Sequence, residues 1–155
     1  MKVLRRRGRL LLRLDSAEIE LLSLLLDELE AVLDGATDPD DDVLNRLYPP
    51  AYRDDDEADV EYRSLTESTL RAERHERIEA CRAVLHAAGD VELTDADDAR
   101  RWIQVINDLR LALGTRIGIH DDDQDVDLTE SAAPPRVIYY WLTDLQDSVV
   151  HELMR

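Results

Sequence analysis

The chain has 155 residues, of which 44% are hydrophobic and 35% are charged, and its formal net charge is −17. This composition fits a folded soluble domain better than a disordered chain, and the length is sufficient for one hydrophobic core. No apolar run approaches the roughly 20 residues that a membrane-spanning helix needs, and the single cysteine, Cys81, excludes an internal disulfide.

Residues 1–14 are predicted to form a basic arm or a short β-hairpin. Residues 1–13 hold six of the 19 basic residues and no acid, so the remainder carries 13 basic and 36 acidic residues, a net charge of −23. Short apolar pieces at about residues 2–6 and 9–14 flank Gly8, which favours the hairpin over a frayed arm. The segment lacks the pattern of a signal peptide, so the location expected by default is the cytoplasm.

A strong helix is predicted between Asp15 and Gly35. Asp15 is the candidate N-cap, Glu18 completes a capping-box pattern, and Gly35 supplies the left-handed residue that ends a helix. An apolar stripe recurs at helical spacing: Ile19, Leu22, Leu25, Leu26, Leu29, Val32 and Leu33. Leu21 and Leu24 widen this stripe, so the helix is expected to bury more than one side, inside a bundle or against another chain.

Two further helical segments follow. The motif "VLNRLY" predicts a short helix that ends before Pro49 and Pro50, and the preceding "TDPDDD" is either a linker or its N-terminal cap. From about residue 56 to residue 88 the sequence is helical, with a predicted restart at Thr66. Cys81 lies on the apolar stripe near the end of this segment and is interpreted as a core residue.

The last two helices carry clear apolar stripes. One is predicted to begin at Thr94, with Asp97 in the position of a capping box, and the other to begin at Pro134 and Pro135. The first stripe contains Trp102, Ile103, Ile106, Leu109, Leu113 and Ile117, and the second contains Val137, Ile138, Trp141, Leu142, Leu145 and Val149.

The "LGTRIG" stretch raises two packing hypotheses. Gly114 is expected inside the helix, where a glycine costs about 1 kcal/mol relative to alanine, and close approach of a neighbouring helix would offset that cost. Gly118 is the expected helix terminator. An ion pair between Arg116 and Asp144 would fix the register of the last two helices; the alternative is two separate solvated charges.

The acidic loop at residues 119–133 is the stretch that most resembles a ligand site. It follows the C-terminal end of a helix, which is the wrong end for phosphate, and its alternating aspartates lack the glycine and the final glutamate of a calcium loop. His75 and Glu79 lie one helical turn apart, but zinc needs three or four ligands. A solvated loop without metal or cofactor is therefore predicted.

Catalytic patterns are also missing from the sequence. No nucleophile stands at diagnostic spacing from a base, and in a chain with 36 acidic residues carboxylate pairs occur by chance. The sequence therefore predicts a protein that is not an enzyme.

Three stretches together resemble a known family: "LYPPAYRDDDEADVEYRSLTESTLR", "WIQVINDLRLALGTRIGI" and "VIYYWLTDLQDSVVHELM". The chain is similar over essentially its whole length to an actinobacterial domain-of-unknown-function family, whose members are often encoded beside the adaptor ClpS. The resemblance implies a small helical protein without an assigned activity. Some members are labelled transcriptional regulators, and the neighbourhood with ClpS implies an association with the Clp protease system.

The predicted fold is mainly α: a single domain over residues 1–155, built as a compact bundle of four or five helices with a short N-terminal hairpin. The leading functional hypothesis is a non-catalytic interaction or regulatory domain that binds a protein partner or forms a homodimer. Its candidate interaction residues are Leu21, Leu24, Leu25, Tyr139 and Tyr140. The alternative is a nucleic-acid-binding regulator whose phosphate contacts would be Arg5, Arg6, Arg7 and Arg9, against which the acidic body argues.

Overall fold

The computed structural model of the protein describes residues 1–35, 41–49, 54–86, 89–119 and 134–155. Its elements in chain order are β1 (Lys2–Arg6), β2 (Arg9–Arg13), α1 (Ser16–Leu33), α2 (Asp42–Leu47), α3 (Asp56–Leu85), β3 (Val91–Leu93), α4 (Ala96–Arg116) and α5 (Pro134–Met154). The prediction of a mainly helical fold with an N-terminal hairpin is confirmed. Residues 120–133, and with them the rejected calcium pattern, lie outside the described residues.

The N-terminal segment forms a three-stranded antiparallel sheet in the order β1-β2-β3. The hairpin turns at Arg7 and Gly8, whose φ angles of 52° and 82° give the two-residue geometry that matches strand twist. The third strand pairs Leu93 with Leu10 and is not predicted from the sequence. Three residues are too few to show an alternating pattern, although Val91 and Leu93 are both buried.

The start and end of α1 are as predicted. Asp15 accepts a hydrogen bond from the backbone N–H of Glu18 at 2.9 Å, and Glu18 Oε2 accepts one from the N–H of Asp15 at 2.9 Å. Gly35 follows the helix with a φ of 68°. Glu18 Oε1 also accepts a hydrogen bond from Trp141 Nε1 at 3.2 Å, so the first turn of α1 is joined to α5.

The long helix α3 runs without interruption for 30 residues, and the predicted restart at Thr66 is wrong. Thr66 Oγ1 donates to the carbonyl of Tyr62 at 2.9 Å, so its hydroxyl bonds within the helix and caps nothing. The N-cap is Asp55, which accepts from the N–H of Ala58 at 3.0 Å. The helix ends at Leu85, before the predicted end at residue 88.

The start of α4 also differs from the prediction. Asp95, not Thr94, is the N-cap, and its side chain accepts from the N–H groups of Asp97 and Asp98, both at 2.9 Å. Thr94 instead donates to Asp98 through its hydroxyl at 2.6 Å. The sequence offers several acceptors within three residues here, and only the backbone conformation decides which one caps the helix.

The core lies between α1, α3, α4, α5 and the inner face of the sheet. Its largest fully buried side chains are Leu12, Leu22, Leu26, Leu33, Ile78, Leu93, Ile106, Leu142 and Leu145. Cys81 is buried among them, which confirms its interpretation as a core residue. Trp102 is also buried, whereas Trp141 is partly buried and packs against the core.

Close packing at Gly114 is confirmed, but the proposed helix–helix ion pair is wrong. A Cβ atom on Gly114 would lie 3.2 Å from Cε2 of Tyr139, so α5 approaches α4 at this glycine. Arg116 does not pair with Asp144; its guanidinium lies 2.6 Å from a carboxylate oxygen of Asp41, at the start of α2. The sequence cannot distinguish these partners, because the arginine is within reach of elements on two sides of its helix.

Candidate interaction groove

An apolar groove of about 440 Å³ lies between α1, α2 and α4. Leucines and valines form most of its wall: Leu25, Leu29 and Val32 from α1, Val43 from α2, and Leu109 and Leu113 from α4. Ala31 and Ala112 contribute small side chains on facing helices, and Pro135 closes the end at the start of α5. The groove therefore lies where the leucine-rich faces of α1 and α4 meet beside alanine side chains, which leave space unfilled.

Two charged residues border this apolar wall. Arg116 is held by its ion pair with Asp41, whose carboxylate also accepts a hydrogen bond from the N–H of Val43 at 2.8 Å. Asp41 is therefore both the N-cap of α2 and the anchor of Arg116, and its side chain is only 4% exposed. Glu28, on α1, is exposed. The border thus carries one neutralised pair and one exposed acid.

The predicted interaction residues separate into two places. Leu25 lines the groove, Leu24 lies one residue before it and is 56% exposed, and Leu21 is half-buried. Tyr139 and Tyr140 do not line the groove: Tyr139 packs on Gly114, and its ring stands edge-on to that of Tyr140 at 5.7 Å between centroids. Of the five predicted interaction residues, the structure therefore brings only Leu25 to the groove.

The arginines of the alternative hypothesis lie on the exposed hairpin. Arg6, Arg7 and Arg9 border an open polar hollow of about 440 Å³ beside Glu92. Arg9 is 2.6 Å from Glu92, and this hydrogen-bonded pair raises the pKa of the guanidinium. Arg5 donates to the carbonyl of Glu152 at the end of α5, at 3.3 Å. Two of the four arginines therefore already have partners within the protein.

Burial shifts the pKa of two titratable groups, Cys81 and Asp108. Burial raises the pKa of the Cys81 thiol to about 12. Burial also raises the pKa of Asp108, although Arg74 and Arg77 oppose that shift. Among the described residues, no group of three or more His, Cys, Asp or Glu side chains is placed to hold a metal ion.

Sequence reasoning misses the network around Asp108. Arg74 donates to Asp108 at 3.2 Å and to the carbonyl of Leu47 at 3.1 Å, and its guanidinium lies 4.6 Å from the ring centroid of Tyr48. One arginine thereby joins the end of α2 to α3 and α4. A sequence signal exists: Asp108 is an acid between the apolar residues Ile106 and Leu109 of the α4 stripe.

The sequence of the chain matches a known protein family. The model of DUF2017, a domain of unknown function, matches residues 1–153. The oxidative stress regulators AosR of Mycobacterium tuberculosis and of Mycobacterium bovis are each 34% identical over 145 residues, covering 83% of this chain and 66% of the relative. A Mycobacterium leprae protein provisionally named after AosR is 33% identical over 150 residues, covering 83% of this chain and 68% of that protein.

The chain thus spans about two thirds of the length of these curated relatives. No solved structure matches it. Among the described residues, no helix is long and apolar enough to cross a membrane.

Proposed function

Because the chain belongs to the DUF2017 family of domains of unknown function, and its curated relatives are named as regulators, we propose that it is a non-catalytic regulatory domain that binds a protein partner in the groove between α1, α2 and α4. The observation that carries the proposal is the groove itself, about 440 Å³ in volume and walled by leucine and valine. Concave, mostly apolar sites bordered by a few charged groups are where proteins commonly bind ligands.

The occupant that fits best is an amphipathic helix of the partner with basic residues beside its apolar face. An apolar groove between helices accepts such a helix through anchors spaced three or four residues apart. The described border of the groove carries no unpaired base: Glu28 is exposed there, and Arg116 is paired with Asp41. Basic flanking residues would therefore speed association.

The names of the relatives support a role in the response to oxidants, which this proposal extends to the present chain. Two classes of partner suit a regulator of this kind: a component of the transcription machinery, and a component of the Clp protease system, as the resemblance to a family encoded beside ClpS implies. In both classes the domain itself performs no chemistry, and its effect follows from occupying a surface of the partner.

Site-specific photo-crosslinking tests the proposal. A photoreactive amino acid at Ala112, inside the groove, should capture a partner in the native host, and the crosslinked peptide should be a helical segment with an apolar face and basic flanks. The same amino acid at Arg100, an exposed position of α4 outside the groove, is the control. Crosslinks of equal yield and identity at both positions would contradict the proposal.

Filling the groove provides the matching functional test. Ala112→Trp should abolish binding of the captured partner and the transcriptional response to oxidant, whereas Arg100→Trp should leave both unchanged. Circular dichroism and thermal unfolding must first show that both variants are folded. A folded Ala112→Trp protein with full binding would contradict the proposal.

The nucleic-acid alternative keeps one supporting observation, the convergence of Arg6, Arg7 and Arg9 on the hairpin. The net charge of −17 opposes it, because a duplex would be repelled by the rest of the molecule within about 10 Å at ordinary salt. A gel shift at low salt should therefore show no binding. A shift that weakens with salt and disappears in the Arg6→Ala/Arg7→Ala variant would favour the alternative over the groove.

A further inference from the structure

The strand β1 forms an edge of the three-stranded sheet. In the described part of the chain, β1 pairs with β2 on one side and with no strand on the other, which we call its free side. The opposite edge of the sheet, β3, has only three residues. An edge strand presents unpaired backbone N–H and C=O groups that can pair with another extended chain. The five residues of β1 therefore offer the longer of the two edges to a partner.

The hairpin turn determines which backbone groups of β1 point to its free side. Arg6 and Arg9 flank the two-residue turn and lie directly opposite each other, so they exchange backbone hydrogen bonds. Bonded and non-bonded pairs alternate along an antiparallel ladder, so Leu4 also bonds to β2, whereas Val3 and Arg5 do not. Within the described residues, no hydrogen bond from outside the ladder reaches the backbone of these two residues. Their N–H and C=O groups are therefore available on the free side.

The face of β1 that is turned away from the core, its outer face, alternates basic, apolar and basic side chains. Lys2, Leu4 and Arg6 are separated by two residues and therefore share one face of the strand. Val3 belongs to the opposite face. Among the described residues, the half-buried hydrophobic side chains that pack against the core include Val3 but not Leu4. A strand laid beside β1 would thus meet a cation, a leucine and a second cation in turn on the outer face.

The two cations of the outer face are not neutralised within the described part of the protein. There, the side chains of Lys2 and Arg6, and of Arg7 in the turn, are exposed and form no hydrogen bond or ion pair. On the neighbouring strand, by contrast, Arg9 lies 2.6 Å from Glu92. The charge available to a partner at this edge is therefore positive, although the whole chain carries a net charge of −17.

We propose that β1 binds an extended acidic segment of a partner protein, which adds to the sheet as a fourth strand. The backbone of the segment bonds to the free groups of Val3 and Arg5. Side chains that lie opposite each other on neighbouring strands interact, so the segment carries an acid opposite Lys2, an apolar residue opposite Leu4 and an acid opposite Arg6. The resulting pattern, acid-x-apolar-x-acid, is the same in both chain directions.

Charge favours this occupant over a second copy of the strand and over nucleic acid. Two copies of β1 paired antiparallel about Leu4 would set Lys2 of each copy against Arg6 of the other, and like charges placed directly opposite are destabilising. A nucleic acid would neutralise the same cations, but its phosphates only accept hydrogen bonds and leave the edge carbonyls without donors. An acidic peptide strand satisfies both the cations and the backbone.

A labelled synthetic peptide tests the pattern by fluorescence anisotropy with the full chain. A peptide with Glu-Thr-Val-Thr-Glu at its centre should bind about fivefold more tightly than one with Thr-Glu-Glu-Val-Thr, because the second peptide has the same composition but places its acids on opposite faces. Arg6→Glu should weaken binding of the first peptide about tenfold, since attraction becomes repulsion. Arg100→Glu is the control, because it changes the net charge equally at an exposed position of α4.

Three results of this experiment would overturn the proposal. The first is the absence of binding of the patterned peptide at millimolar concentration. The second is equal affinity for the two peptides, which would show that only the overall charge of the peptide is recognised. The third is an equal effect of Arg6→Glu and Arg100→Glu, which would place the peptide away from β1.

A matched pair of substitutions at Arg5 tests the backbone contact. Arg5→Pro removes the N–H group on the free side and keeps the ladder with β2, because an edge strand tolerates proline where its N–H faces solvent. Arg5→Ala removes the same side chain, with its 3.3 Å bond to the carbonyl of Glu152, but keeps the N–H. Arg5→Pro should bind the peptide about tenfold more weakly than Arg5→Ala. Equal affinities of the two variants, both shown to be folded by circular dichroism, would overturn strand addition.

Two further measurements separate this edge from the other candidate surfaces. Ala112→Trp, which fills the groove, should leave the affinity for the peptide unchanged, because none of the residues that line the groove belongs to β1. Loss of peptide binding in that variant would show that the peptide occupies the groove, and would overturn the proposal. An unlabelled DNA duplex should not displace the peptide, and displacement at equal concentration would favour a nucleic-acid site instead.

Discussion

At the scale of single residues, the buried charges determine which side chains tolerate change. Arg74 and Asp108 have side chains only 15% and 10% exposed and lie 3.2 Å apart. Removing one member of such a pair leaves the other charged in a poorly solvated place, whereas removing both can be nearly neutral. The surface pair Arg71–Glu67, at 2.8 Å, has the same chemistry but remains in contact with water.

The first prediction follows from this contrast. Arg74→Met should lower the free energy of unfolding by about 3 kcal/mol, because the Asp108 carboxylate loses its partner. The double variant Arg74→Met/Asp108→Leu should recover most of that loss. Arg71→Met, the surface control, should cost less than about 1 kcal/mol. Urea unfolding measures all three, and equal losses in Arg74→Met and Arg71→Met would contradict the prediction.

The second prediction concerns the only cysteine. A pKa of about 12 reduces the thiolate fraction of Cys81 at neutral pH by about 1,000-fold relative to a free thiol, and the side chain is also buried. We expect a thiol reagent such as Ellman's reagent to modify the folded chain at least 100-fold more slowly than the urea-unfolded chain. If the domain takes part in an oxidant response, Cys81→Ala should preserve that response. Modification of the folded protein as fast as that of the unfolded chain would contradict the predicted protection of Cys81.

At the scale of the elements, aspartate side chains cap the beginnings of four of the five described helices. Asp15, Asp41, Asp55 and Asp95 each accept a hydrogen bond from a free N–H group at the first turn of a helix. This use of aspartate gives part of the chain's acidity a structural role. An aspartate that caps a helix should therefore contribute more to stability than a neighbouring aspartate that does not.

The third prediction compares such acids at the start of α4. Asp95→Ala should lower the free energy of unfolding by about 1 kcal/mol, because the N–H groups of Asp97 and Asp98 lose their acceptor. Asp97→Ala removes only an exposed ion pair with Arg100 and should cost less than half as much. Thermal unfolding of both variants tests the assignment. A larger loss of stability in Asp97→Ala than in Asp95→Ala would show that Asp95 is not the N-cap.

At the scale of the whole molecule, acidic groups with lowered pKa values make the fold sensitive to acid. Burial opposes the shift at Glu18, but hydrogen bonds from the amino group of Met1, from Asp15 and from Trp141 prevail and lower its pKa. At Asp98 the hydrogen bond from the Thr94 hydroxyl is the main cause of a lowered pKa. Each carboxylate is therefore more stable as an anion in the folded chain than in the unfolded chain.

The fourth prediction gives the sign of that dependence. Because the folded-state pKa values lie below the unfolded ones, the stabilisation is complete above an unfolded pKa of about 4 and is lost as the pH falls through the folded values. The free energy of unfolding should therefore decrease as the pH falls below about 4. Glu18→Gln should make this decrease shallower, and Glu20→Gln, an exposed control on α1, should not. Identical pH profiles for the wild type and Glu18→Gln would contradict the prediction.

The sequence by itself determined the features that depend only on residues close together along the chain. Apolar stripes with helical period located the helices, because burial of one face requires that spacing. The capping box of Asp15 and Glu18, the stops at Gly35 and Gly118, and the burial of Cys81 are equally local, and all are present in the structure. The tight contact at Gly114 was also predictable, since a glycine inside a helix needs a compensating neighbour.

Only the tertiary structure decided the features that join distant parts of the chain. The strand β3 exists because β2 offers it a partner, Arg116 meets Asp41 across 75 residues, and Arg74 joins three helices. The groove likewise needs Leu25 of α1 and Ala112 of α4 to face each other. Periodicity states which side of a helix is apolar, but the choice of neighbour depends on how all the helices pack together.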